Sequence, residues 1–186
     1  MALRKKIAVG LSFAGLVLAG IVAPSRSIPP HEPASLPAAL AASAAAPALV
    51  SIPSANINAA VVPVGTDADG AMAVPTVTNT VGWYDGGTVP GAPGSAVFAA
   101  HVYLAFKPLK KMAVGASIYV TDANGVKTRF VVTSIRTYPY RKVPAQTLFA
   151  QDDGLAHLNL ITCSGTWLPA ENTYDHRLVV YARRAS

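Results

Sequence analysis

Hydrophobic and polar positions divide the chain into three stretches. Residues 7–23 are apolar or small and carry no charge, residues 24–50 mix proline with alanine and serine, and from Ser51 onward short apolar runs alternate with turn residues. In the third stretch the dominant period is two, the spacing of half-buried strands. Val50-Ser51-Ile52 and residues 59–62 read as short strands, with Pro53 and Pro63 confining them to edges or strand ends. Residues 94–101 read as a buried strand whose last residue is His101, and residues 118–121 as another, before the hairpin signal Asp122-Ala123-Asn124-Gly125. Residues 128–138 make the longest alternating run, with Phe130, Val132 and Ser134 set against Arg129, Val131 and Thr133. Residues 106–112 carry a short helical pattern, and a final strand runs from Arg177 to Ala182. Short strands separated by turns, with few helices, predict an all-β barrel or sandwich.

The run Leu158-Asn159-Leu160-Ile161-Thr162-Cys163 organises the rest. Alternation places Asn159, Ile161 and Cys163 on one face and Leu158, Leu160 and Thr162 on the other. Ser164-Gly165 is expected to end this strand and to open a polar loop over residues 165–175. Cys163 is the only cysteine, so it can form no disulfide within the chain and serves either packing or reactivity.

Length and composition bound the organisation. A chain of 186 residues suits one domain with extensions, and its 52% hydrophobic content is inflated by alanine near the N-terminus. Arg4-Lys5-Lys6 precede the uncharged run of residues 7–23, which would span about 25 Å as a helix, the lower end of a bilayer crossing. Residues 1–23 therefore read as a cytoplasmic basic stub followed by a signal anchor, or by a cleavable signal, with the remainder exported. Residues 24–50 read as a Pro/Ala-rich linker that cannot bury a core, and residues 51–186 as the folded domain. The whole chain carries a formal charge of +6, but from Ser51 onward 11 Lys and Arg face 8 Asp and Glu, which leaves +3. No basic stripe is interleaved with aromatics, which excludes nucleic acid as the natural partner.

Three residues carry candidate chemistry: His101 and Cys163 at strand ends, and Arg177 at a strand start. A Cys–His pair supports covalent acyl transfer, the thiolate attacking a carbonyl and the imidazolium protonating the leaving amine. Arg cannot act as a base, but it can present a fixed charge and a fork of donors to an oxyanion. Spacing alone also allows a strand-end histidine and a surface arginine with no such role. Thr66-Asp67-Ala68-Asp69-Gly70 reads as turn chemistry, since further acidic ligands for calcium are lacking at the required spacing. Nothing in the sequence argues for a metal or a cofactor. His157 and His176 are rivals to His101, one far along the cysteine strand and the other beside Arg177 but on the opposite face.

Across residues 51–186 the chain resembles the sortases, cysteine transpeptidases of Gram-positive cell surfaces. The family's active-site strand reads Thr-Leu-x-Thr-Cys, and Asn159-Leu160-Ile161-Thr162-Cys163 differs at its first position. Phe98-Ala99-Ala100-His101 is similar to the family's apolar-Ala-Gly-His pattern, and Arg177-Leu178-Val179-Val180 to its arginine opening the last strand. The stretches Val81-Gly82-Trp83-Tyr84 and Pro90-Gly91-Ala92-Pro93-Gly94 look most like the actinobacterial class F branch, with class E next. Asn159, Ala100 and Tyr103 depart from the usual residues, Tyr103 standing where class F members often have Asp.

The resemblance implies a closed β-barrel of about eight strands with short helices, held outside a membrane by a single N-terminal span. It implies Cys163 as nucleophile, His101 as acid, and Arg177 as oxyanion and substrate-binding residue. It further implies partners: exported proteins ending in a Leu-Pro-x-Thr-Gly-like sorting signal, and a peptidoglycan precursor amine as acceptor. A transpeptidase that polymerises pilins and a non-catalytic binder of sorting signals are the alternatives.

Overall fold

The computed structural model describes residues 45–186. The expected membrane segment and most of the expected linker lie outside these residues. Among the described residues, no helix is long and apolar enough to cross a membrane. Eight strands form one closed barrel: β1 (Pro47–Ile52), β2 (Ile57–Val64), β3 (Thr80–Tyr84), β4 (Gly94–Ala99), β5 (Ser117–Asp122), β6 (Lys127–Pro139), β7 (Ala156–Leu168) and β8 (Thr173–Arg184). Among the described residues one short α-helix, α1 (Ala145–Phe149), precedes β7. Around the barrel the order is β1-β2-β3-β4-β7-β8-β6-β5, with β5 returning to β1. Closure leaves no free sheet edge to template association.

Local chemistry explains the tight connections. Between β1 and β2, Pro53 opens a one-turn 3-10 helix that ends at Asn56, a residue able to take the left-handed φ of 51° found there. Between β5 and β6, the Asp122 carboxylate accepts from the backbone N–H groups of Asn124 and Val126, both at 2.9 Å, and Gly125 supplies a positive φ. The pairs β2/β3 and β4/β7 are parallel, so their connections cross the barrel instead of folding back directly.

Alternation fills two separate apolar layers. Ile52, Phe98, Phe106, Ile118, Phe130, Leu158, Leu160 and Val180 lie in the main core that fills the barrel. The opposite faces of β4, β7 and β8 meet α1 in a smaller layer, where Val97, Leu148, Val179 and Tyr181 are buried and Ile161 packs against them. Asn159, Ile161 and Cys163 thus share the outer face of β7, as the alternation predicts. Truncating a core residue such as Leu160 to alanine would cost about 2–5 kcal/mol.

Four expectations are corrected. Strand β1 begins at Pro47, inside the segment expected to be linker, because Pro47, Leu49, Val50 and Ser51 find register partners on β5. The helical pattern at residues 106–112 yields only a 3-10 turn, Leu109–Lys111, following Pro108, a residue type that disfavours helical backbone at the position before it. Helix α1 carries no sequence signal strong enough to have been anticipated. Finally, Ser164-Gly165 does not end the cysteine strand. Strand β7 continues to Leu168 and β8 starts at Thr173, so most of the expected polar loop is hairpin, with a register shift between Ser164 and Trp167. Gly165 absorbs the irregularity at φ 84°, and Asp175 secures it by accepting from the Thr166 N–H at 2.8 Å. Arg177 accordingly lies within β8, not at its start.

Candidate active site

The site is built by two strand pairings that meet at β7. Parallel pairing of β4 with β7 runs in step from Gly94↔Ala156 to Ala99↔Ile161. The chain holds this register past the end of β4: the Ala100 N–H donates to the Ile161 carbonyl at 3.4 Å, and the Thr162 hydroxyl donates to the Ala100 carbonyl at 2.7 Å. Continued by one more residue, the register sets His101 beside Cys163. On the other side, antiparallel pairing sets Cys163 directly opposite Arg177. Residues far apart in sequence therefore form one row: His101, Cys163, Arg177.

All three line one cleft of about 720 Å³ on the outside of the barrel. One wall is the β2–β3 connection, with Asp67, Met72 and Val74; the other is the segment from Tyr140 through α1, with Val143, Leu148 and Phe149. Tyr84 and Ile161 also line it, so the cleft is mainly apolar with its polar groups gathered at the row. Asp67 is itself a turn acceptor, taking the N–H groups of Asp69 and Ala71 at 3.0 and 2.9 Å.

Each member of the row is held differently. Arg177 is fixed by its own hairpin: one guanidinium nitrogen donates to the carbonyls of Tyr174 and His176 at 2.9 and 3.0 Å, and the other to the Thr173 hydroxyl at 2.9 Å. Its guanidinium also lies 5.6 Å from the centre of the Tyr140 ring, a cation–π contact that ties β8 to the far wall. Cys163 is partly exposed, as an attacking thiol must be. His101 is partly buried, and desolvation moves its pKa below the ordinary value of 6.5, favouring the neutral imidazole. Its ring stacks on Tyr103 with centroids 5.0 Å apart.

The rival histidines are elsewhere. His157 pairs with Asp153 at 2.8 Å and sits opposite Arg183, near the start of β7. His176 pairs with Asp175 at 2.8 Å and sits opposite Ser164, facing away from the Cys163 row. Neither lines the cleft. Asn159 is fully buried beneath α1, where its amide donates to the Leu148 carbonyl at 2.6 Å while its Oδ1 has no partner among the described residues. The sequence places Asn159 on the face of Ile161 and Cys163 and marks it as a departure from the family motif; in the structure it fastens α1, and so one cleft wall, to β7. Tyr140, Thr173 and the Ala100–Thr162 hydrogen bond were not anticipated. Only the threonine preceding Cys163 gave any hint of them.

The family model for the sortase domain matches residues 50–185. No curated protein sequence matches the chain. Among solved structures, sortase A from Corynebacterium diphtheriae in a lid-mutant form is similar at 26% identity and a TM-score of 0.58, over 74% of this chain and 69% of that one. Sortase C-1 from Actinomyces oris is similar at 23% identity and a TM-score of 0.58, over 75% and 71%. Sortase A from Listeria monocytogenes is similar at 20% identity and a TM-score of 0.57, over 77% and 88%.

Proposed function

This chain belongs to the sortase family of cysteine transpeptidases, and from that premise we propose that it cleaves a Leu-Pro-x-Thr-Gly-like sorting signal through a thioester on Cys163 and passes the acyl group to a peptidoglycan amine. The observation that carries this reading is the shared cleft: Arg177 pairs directly opposite the only cysteine, and His101, two residues past the end of β4, lines the same cleft.

The chemistry follows from the row. The Cys163 Sγ attacks the threonine carbonyl carbon of the signal, and the carbonyl oxygen gathers negative charge. Arg177, already oriented by Thr173 and Tyr174, faces that charge with a cation that cannot be neutralised at working pH. As the carbon–nitrogen bond breaks, the imidazolium of His101 gives its proton to the departing glycine nitrogen, leaving a thioester on Cys163. The acceptor amine then attacks the thioester carbon, His101 takes back a proton, and a new amide forms as the thiolate leaves. Because desolvation favours the neutral imidazole, only a fraction of molecules carries the acid at neutral pH.

The apolar part of the cleft, from Met72 and Val74 across to Leu148 and Phe149, suits the apolar residues of such a signal. The basic cluster and apolar run of residues 4–23 support a membrane anchor with the barrel outside the cell.

Incubating the protein with a Leu-Pro-x-Thr-Gly peptide library, with and without amine acceptors, tests the reading. Intact mass should detect an acyl-enzyme on the wild type and none on Cys163→Ala, with product depending on added amine. Turnover that survives Cys163→Ala would sink the mechanism, and product formed only with a pilin lysine would replace the wall acceptor.

A further inference from the structure

We propose that Tyr103 is a positioning residue for His101, its ring laid against the imidazole so that the acid keeps one orientation and one face closed to water. The inference rests on the reading of His101 as the acid. General acids are ordinarily oriented by a partner that holds the ring. Here neither ring nitrogen of His101 is hydrogen bonded to the protein among the described residues, and no carboxylate is paired with it. What touches the ring is Tyr103, with centroids 5.0 Å apart and planes 15° apart, close to parallel.

The backbone is arranged to make that contact. The Leu104 N–H donates to the His101 carbonyl at 3.1 Å, closing a tight turn over residues 101–104 that folds Tyr103 back onto the histidine. The turn is anchored at both ends, by the Thr162 hydrogen bond to Ala100 and by the burial of Ala105 and Phe106. Tyr103 itself adds nothing to the core, being 61% exposed. It does not line the cleft, so it covers a side of His101 that substrate does not occupy. A large aromatic ring left in water, with no core to join, finds its use in the stack.

Excluding water from the imidazole disfavours its cation, in keeping with the lowered pKa of His101. The other titratable or charged groups lining the same cleft are Cys163 from β7, Arg177 from β8, Tyr140, Asp67 from the β2–β3 connection and Tyr84 from β3. None of them forms a hydrogen bond to the imidazole.

The test uses the full chain in detergent, comparing wild type, Tyr103→Phe and Tyr103→Ala by NMR titration of the His101 ring and by the pH profile of peptide cleavage. In Tyr103→Ala the His101 midpoint should rise toward 6.5. The limiting kcat taken from the pH profile, corrected for the fraction of enzyme carrying the His101 proton, should fall roughly tenfold with KM little changed, because orientation is lost and binding is not. Tyr103→Phe keeps the ring and should behave as wild type in both measurements. Either an unmoved midpoint or an unchanged limiting kcat in Tyr103→Ala would overturn the proposal. If wild type cleaves no peptide, the proposed sorting-signal cleavage is what fails; the titration still decides the role of Tyr103, and an unmoved midpoint there overturns it.

Discussion

The buried Thr162 hydroxyl donates to the Ala100 carbonyl at 2.7 Å, so the residue preceding Cys163 is hydrogen bonded to the residue preceding His101. This side-chain bond continues the β4–β7 ladder beyond the end of β4. It fixes the distance between the proposed nucleophile and acid through backbone that neither of them contributes.

Thr162→Val keeps the shape and deletes the donor. The buried Ala100 carbonyl then loses a partner, which should lower stability by about 1–3 kcal/mol. Denaturant unfolding checks the stability change, and the rate of acyl-enzyme formation checks the coupling. A variant with unchanged acylation would show that β4 holds His101 without this bond.

Arg177→Lys retains the charge and loses the fork. The lysine ammonium cannot reproduce the simultaneous bonds to Thr173, Tyr174 and His176, so its position over the cleft is no longer fixed. Acylation should fall by about 10²–10³-fold, the range for loss of one oxyanion donor, while the fold is preserved. Single-turnover kinetics with a sorting peptide, beside circular dichroism, separate the two effects.

Gly165→Ala probes the bulge that stands where the sequence predicts a strand end. A Cβ at Gly165 would clash with Asp175 Oδ1, in a backbone with φ 84°. The variant should lose about 1–3 kcal/mol from the strained conformation alone. It should also displace the Asp175 carboxylate from the Thr166 N–H, two residues from Arg177. A reduced melting temperature with slower acylation is expected; unchanged values for both would remove the bulge from the site's support.

The lowered pKa of His101 has a defined sign in stability. The unfolded chain binds the proton first as pH falls, so the contribution is complete above 6.5 and is lost as pH drops through the lower native value. Asp153 and Asp175 are also held below the ordinary 3.8, chiefly by hydrogen bonds from His157 and His176, so their contributions persist until much more acidic pH. Urea unfolding across a pH series should therefore show a stability loss just below 6.5 in wild type that is absent in His101→Gln. Persistence of that slope in the variant would assign it to another group.

Several elements were legible in the sequence because their cause is local. Alternation along residues 158–163 assigned Cys163 to the same face as Asn159 and Ile161, and the Asp122–Gly125 turn named its own hairpin. The end of β7 was misread because Gly165 carries the same local signal whether it stops a strand or bends one. What separates the two outcomes is the partner strand, where Tyr174 meets Trp167 beyond the bulge.

By itself, the sequence determined the strand-rich class, the single cysteine and the three residues its motifs single out. These follow from side-chain period and residue type, which a linear chain displays directly. Only the tertiary structure decided which strands stand beside one another around the barrel, that the cleft lies on its outer face beneath α1, and that His101 rests against Tyr103. Those depend on register between strands distant in sequence and on which face each strand turns to its neighbour. Such relations come into being only when the ladder hydrogen bonds form and the apolar faces are buried together.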